Sequence, residues 1–213
     1  RGGGGSERSA KIAHISHLGN PLTVHRDLRL ELLQDWLARR FAKSPFSLTP
    51  ASEDASFRRY FRISADGRSW IVMDAPPERE DCRPFVRVAA LMRAAGLNVP
   101  EVLAQDLDRG FLLLSDLGTT TYLKALNEAN ADELFGDAID ALLRLQIASR
   151  PGVLPPYDEA LLQRELALFP DWYIGRHLGV ELSDEQRRVL AEITALIVAN
   201  NLAQASVFVH RDY

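Results

Sequence analysis

The chain has 213 residues, 46% of them hydrophobic and 25% charged, an ordinary globular composition with room for one large domain or two small ones. A net charge of −4 gives no general attraction to nucleic acid or to an anionic membrane, and no apolar run is long enough to cross a bilayer. The single cysteine, Cys82, excludes an internal disulfide and fits a reducing cytoplasm.

Residues 1–24 read as an appendage, either a flexible leader or an added tag. The run Gly2-Gly3-Gly4-Gly5 cannot offset the entropy of ordering, and residues 1–6 lack the apolar core of a signal peptide. His14 and His17 sit three apart with no third ligand nearby, which makes them surface histidines. His25-Arg26-Asp27 opens an amphipathic helix, since Leu28, Leu32, Leu33, Trp36, Leu37 and Phe41 recur at three-to-four spacing. Asp27 is placed to cap it.

From 46 to 73 the texture changes to strands. Phe57, Tyr60, Phe61 and Ile63 precede Asp66-Gly67, and Trp70, Ile71, Val72 and Met73 follow it, which predicts a tight hairpin. Ahead of it lies Ser52-Glu53-Asp54-Ala55-Ser56-Phe57-Arg58-Arg59-Tyr60, a small polar turn followed by two arginines. Such a turn can lay backbone N–H groups and guanidiniums over phosphates; read locally, the residues favour a solvated hairpin with exposed arginines. Pro76 and Pro77 close the segment. Cys82 has no base beside it in sequence and reads as an inert small side chain. A helix is predicted over 84–95, with Phe85, Val88, Leu91 and Met92 on one face and Gly96 as its stop. Val99-Pro100-Glu101-Val102-Leu103 is extended again. Phe111-Leu112-Leu113-Leu114 predicts a buried strand running into Ser115-Asp116-Leu117-Gly118-Thr119-Thr120-Thr121, which must leave the sheet.

The remainder is helical. Leu134, Phe135, Ala138, Ile139, Leu142, Leu143 and Leu145 mark a helix over 132–149, and Pro151, Pro155 and Pro156 make a rigid connector. A helix over 159–169 is expected to end before Pro170. Ser183 with Gln186 three on is a capping box for a helix carrying Val189, Leu190, Ile193, Leu196 and Ile197. Val207-Phe208-Val209 then predicts a strand leading into His210-Arg211-Asp212. By itself that triplet reads as a strand followed by a polar turn, with Asp212 capping what comes next. The order gives an α+β fold: a β-rich lobe over 25–114 with flanking helices, a hinge at 115–118, and a helical lobe over 119–213.

Five stretches, in this order, resemble the aminoglycoside-phosphotransferase branch of the protein-kinase-like fold. They are Ala55-Ser56-Phe57-Arg58-Arg59-Tyr60-Phe61-Arg62, Val72-Met73-Asp74-Ala75-Pro76-Pro77, Leu114-Ser115-Asp116-Leu117-Gly118, Phe169-Pro170-Asp171-Trp172-Tyr173 and Phe208-Val209-His210-Arg211-Asp212-Tyr213. Within that branch they are most similar to the bacterial anomeric kinases of N-acetylmuramate and N-acetylglucosamine in peptidoglycan recycling. The resemblance implies a bilobal kinase-like fold, a cytoplasmic location, and ATP and Mg²⁺ as cofactors. It implies an amino sugar as substrate and neither nucleic acid nor membrane as partner. It places Ser56, Phe57, Arg58 and Arg59 over the ATP phosphates, and Ser115, Asp116 and Leu117 at the adenine through backbone groups. Asp212 is the implied general base on the sugar hydroxyl, and Trp172, Tyr173 and Arg176 the implied sugar contacts. For the two aromatic residues, packing between helices is the competing expectation.

Two departures stand out. Kinases pair a strand lysine with a helix glutamate over the α- and β-phosphates, whereas Ile71-Val72-Met73-Asp74 has no cation and the helix over 84–95 has no acid. Arg58 or Arg59 is the expected substitute. The Asn expected five residues after Asp212, and the later metal-binding Asp, fall beyond Tyr213. The chain is therefore expected to behave as a fragment without phosphotransfer activity, with apolar helix faces uncovered. Alternatives are a kinase of another alcohol or of an aminoglycoside, a nucleotide-binding pseudokinase, and an interaction domain with a coincidental triplet. The mixed charge between Asp158 and Asp184 favours an uncharged or acidic sugar over a cationic antibiotic.

Overall fold

The computed structural model describes residues 27–41, 44–52, 57–211 and 213. Backbone proximity divides the chain into two units, residues 1–45 and 46–213. Residues 25–45 of the expected β-rich lobe thus fall in the first unit and residues 46–114 in the second.

Helix α1, Leu28–Arg40, is the described part of the first unit. Its apolar spacing buries Leu33, Trp36 and Leu37 on one stripe. The Asp27 carboxylate accepts the Leu30 N–H at 3.0 Å and so satisfies one of the open donors of the first turn. Arg40 lies over the Trp36 ring at 3.8 Å. The first His-Arg-Asp copy is thus a helix start at Asp27; His25 and Arg26 lie outside the described residues.

The second unit begins with a five-stranded antiparallel sheet in the order β1-β2-β3-β5-β4. The strands are β1 Ser47–Ser52, β2 Arg59–Ala65, β3 Arg68–Asp74, β4 Val102–Asp106 and β5 Phe111–Ser115. Asp66 and Gly67 have φ of 50° and 71°, the left-handed pair that lets a two-residue turn follow the twist of its strands. The turn fixes the register of β2 on β3: Ala65 opposes Arg68 and Arg59 opposes Asp74. The central strands are the most apolar and the most buried; Val72, Met73, Phe111 and Leu112 are all fully covered. Helix α2, Arg83–Ala94, joins β3 to β4. Its Phe85 and Val86 pack on a cluster of Met73, Ala75, Cys82, Leu112 and Leu114. Cys82 is an inert core thiol there, its pKa raised by burial. Gly110 closes the β4–β5 connection at φ 73°, accepting the Ala75 N–H at 2.9 Å. A Cβ at Gly110 would lie 1.7 Å from the Ala75 carbonyl oxygen, so only glycine fits.

Beyond β5 come α3 Tyr122–Ala125, α4 Ala131–Ile147, α5 Glu159–Leu168, a π-helix Phe169–His177 and α6 Asp184–Leu202. The capping box of α6 forms in both directions between Ser183 and Gln186. Helix α5 packs against the π-helix and α6. None of the described helices is long and apolar enough to cross a membrane.

Helix α5 ends at Leu168, before Pro170, as expected, because proline removes the N–H that the α-ladder needs next; from Phe169 the chain continues with i→i+5 winding. One sequence expectation fails here. Residues 207–209 form no strand. A strand needs a neighbouring backbone, and among the described residues none pairs with this stretch; the Phe208 N–H donates instead to Ser149 Oγ at 2.7 Å.

Candidate functional site

Side chains nominated from sequence stand in three places. The first is the end of the β2–β3 hairpin away from its turn. Ser56 lies outside the described residues, Phe57 is exposed with Arg79 4.8 Å over its ring, and Arg58 and Arg59 follow. Asp74 is the charged member of the buried set among the described residues. Arg59, directly opposite it in register, donates Nε at 3.0 Å and Nη2 at 2.5 Å to the same Asp74 oxygen. A buried carboxylate without such a partner is costly, and the hairpin register supplies the partner. The Arg59 side chain keeps 38% of its surface exposed, so its outer edge still meets solvent. Arg58 pairs with Glu80. Burial works against its charge, but bonding to Tyr60 and Glu80 outweighs that and raises its pKa.

In this corner a cation from β2 is held by an acid from β3. Residue spacing could have found it: a two-residue turn at Asp66-Gly67 places Arg59 opposite Asp74.

The second place is the segment leaving β5. Ser115 ends the strand, and its N–H donates to the Glu101 carbonyl at 2.9 Å while its Oγ accepts the Glu101 N–H at 2.8 Å. Asp116, whose side chain is 5% exposed, accepts Arg62 Nε at 2.7 Å and Nη2 at 3.1 Å, a two-point ion pair from β2. It also accepts the Gly118 N–H at 2.9 Å, and Arg62 Nη2 reaches the Gly118 carbonyl at 3.2 Å. The Arg62 bond, more than the backbone and Ser69 bonds, holds the Asp116 carboxyl well below the usual carboxylate range. Leu117 is half exposed. Sequence reading assigned no role to the Asp116 side chain and missed Arg62. Fifty-four positions separate the two, and no local pattern links them.

The third place is the π-helix. Trp172 and Tyr173 are about half exposed. Arg176 lies 3.9 Å over the Trp172 ring. Tyr173 stacks between Phe169 and His177 at centroid distances of 5.7 and 5.6 Å, because residues four apart come near one face of so wide a helix. Both faces of Tyr173 are taken, and Arg176 takes one face of Trp172. A concavity of about 600 Å³ lies between α5, the π-helix and α6, lined by Leu166, Ile174, Leu182 and Leu190 among others. None of the nominated residues lines it.

Asp212 lies outside the described residues, but its neighbours on either side are held. Arg211 donates to Glu165 of α5 at 2.7 Å and sits 5.8 Å from the Tyr157 ring centre. Its φ of 75° is left-handed, a conformation that costs a non-glycine residue free energy and is found at constrained sites. The Tyr213 hydroxyl donates to the Ala138 carbonyl of α4, and its ring meets His210 edge-on at 5.4 Å. Among the described residues no three His, Cys, Asp or Glu side chains gather to hold a metal, so none is assigned to Mg²⁺.

Residues 47–213 match the model of the phosphotransferase enzyme family, APH. Two curated relatives are both described as N-acetylmuramate/N-acetylglucosamine kinase. That of Pseudomonas aeruginosa is 61% identical over 169 residues, covering 79% of this chain and 50% of the relative. That of Pseudomonas putida is 50% identical over 197 residues, covering 88% and 58%. The chain thus spans about half the length of the curated relatives it matches. A crystal structure of the aminoglycoside phosphotransferase APH(4)-Ia superposes with a TM-score of 0.56 at 17% identity, over 86% of this chain and 65% of that one. At that identity the likeness speaks for fold, and the fold is the kinase-like α+β one anticipated from motif order. With the family model matched over residues 47–213, the chain belongs to the phosphotransferase enzyme family.

Proposed function

We propose that this chain is part of an ATP-dependent kinase that phosphorylates the anomeric hydroxyl of N-acetylmuramate and N-acetylglucosamine, in the cytoplasm and in the service of peptidoglycan recycling. The observation that carries the reading is 61% identity over 169 residues to a kinase so described. Substrate identity follows sequence at that level far more closely than it follows fold. The aminoglycoside phosphotransferase is too distant in sequence to argue for an antibiotic substrate.

Residues 46–114 would form the body of the nucleotide-binding lobe, 115–118 the hinge and 119–213 the start of the helical lobe. Ser56, Phe57, Arg58 and Arg59 would cover the phosphates. Arg59 is the better phosphate cation of the two, because its exposed edge is aimed by a buried acid while Arg58 is drawn to Glu80. Ser115, Asp116 and Leu117 would hold the adenine. Asp212 would accept the proton of the sugar hydroxyl as that oxygen bonds to the γ-phosphorus and ADP departs. The open face of Trp172, with Arg176 beside it, would meet the sugar; Tyr173 would act through the stack it belongs to. Mg²⁺ supplies charge neutralisation when bound, and its ligands are not assigned within this chain.

A substrate panel tests the reading. The protein is assayed at these 213 residues and at the length of its curated relatives, with ATP and N-acetylmuramate, N-acetylglucosamine or hygromycin B. At the longer length both sugars should be phosphorylated at C1 and the antibiotic left unchanged. Turnover of the antibiotic alone, or of none of the three, overturns it.

A further inference from the structure

We propose that Arg62 is a positioning residue for purine recognition, holding the backbone of residues 115–118 through Asp116 so that the segment accepts adenine and refuses guanine. The inference rests on the kinase reading above and adds a residue and a specificity to it.

Both ends of the segment are fixed. At Ser115 the N–H and Oγ are tied to Glu101. At Gly118 the N–H goes to Asp116 and the carbonyl accepts from Arg62. Gly118 holds a left-handed φ of 91°, a conformation that glycine alone adopts freely. Between these ends, the N–H and C=O of Leu117 take no hydrogen bond among the described residues, and Leu117 is half exposed. The backbone N–H and C=O of Asp116 are likewise without a hydrogen bond among the described residues, so these open donors and acceptors lie in a stretch tied at both flanks.

That arrangement discriminates by order. Adenine presents an amino donor where guanine presents a carbonyl acceptor, so a fixed backbone pair that satisfies one leaves the other with clashing partners. A loose segment could rotate its peptide groups and accept either base. Arg62 prevents this by a fork: two nitrogens on the Asp116 carboxylate, one of which also bonds the Gly118 carbonyl. Lysine offers a point charge without that planar geometry. Arg62 reaches this segment from β2, with β3 lying between β2 and β5 in the sheet.

Steady-state kinetics with ATP and with GTP, on the natural full-length protein at saturating N-acetylmuramate, test the assignment. Wild type should prefer ATP. Arg62→Lys and Asp116→Asn should each lower the ATP-over-GTP ratio of kcat/KM about tenfold, mainly through KM, while the sugar KM stays within twofold. Arg62→Lys keeps the charge, so it carries the test should a more drastic variant fail to fold. Equal losses for both nucleotides would mean a merely structural role and overturn the assignment, as would an unchanged ratio. A wild type that uses ATP and GTP equally overturns this inference alone. A wild type that phosphorylates the sugar with neither overturns the kinase reading and the inference with it.

Discussion

The sheet of residues 46–115 and the helices of residues 119–213 bury their apolar side chains very differently. In the sheet Ile63, Val72, Met73, Phe111, Leu112 and Leu114 are covered, and its buried acid has a partner. In the helices a stripe along α4, Phe135, Ile139, Leu143 and Ile147, recurs every four residues and lies exposed, Ile147 at 82%. Val189, Ile193 and Leu196 of α6 are exposed as well. Stripes of that kind are made to be covered. The sheet is a finished core, whereas the helices hold together by a few inter-helix contacts and by side chains that pin the stretch around Asp212.

Substitutions can break or sharpen the contrast. The largest effect is expected in the sheet at Gly110→Ala, where a methyl group has no room beside Ala75 and the backbone is left-handed. It should cost about 4 kcal/mol or more in urea unfolding followed by tryptophan fluorescence; a loss under about 1 kcal/mol would show that the β4–β5 connection yields. Next is the Arg59–Asp74 pair. Arg59→Met removes the two-nitrogen bond to a fully buried carboxylate and should cost about 3 kcal/mol. Asp74→Asn should cost less, since Arg59 can turn to water. The reverse order would mean that Asp74 owes its tolerance to other partners.

The Arg62–Asp116 pair gives a pH signature. The folded Asp116 pKa is depressed below the unfolded value of about 3.9, so the pair's contribution is fully present above that value and is lost as pH falls towards the folded pKa. The stability gap between wild type and Asp116→Asn should therefore narrow as pH drops from about 5 to about 2. A gap constant across that range removes the pair as its cause. The smallest stability effect belongs to α4. Ile147→Ser should change unfolding free energy by less than about 0.5 kcal/mol while reducing self-association in sedimentation velocity. Unfolding of that variant would show that the stripe is already covered.

How much of this could be read from the chain depends on how far apart the partners are. The Asp66-Gly67 hairpin, the Asp27 cap and the Ser183–Gln186 box are settled within a few residues, and all three form. The Arg59–Asp74 pair was implicit in the hairpin register and went unnoticed. Arg62–Asp116 spans two strand crossings and has no local trace. Pro170 ended the α-ladder as read, while the wider winding that follows left no local sign. The β-branched run 207–209 misled because propensity cannot provide the neighbour a strand requires. Order of motifs carried the family, while the side-chain partners that steer its charged groups needed coordinates.

The central claim is that Asp212, one residue past the left-handed Arg211, removes the proton from the sugar hydroxyl. Asp212→Asn in the natural full-length protein, assayed for ATP-dependent phosphorylation of N-acetylmuramate alongside ATP affinity, addresses it most directly. The account predicts a fall in kcat of about a thousandfold or more, consistent with loss of a general base, with ATP affinity within about threefold of wild type. Turnover left within about tenfold of wild type would contradict it.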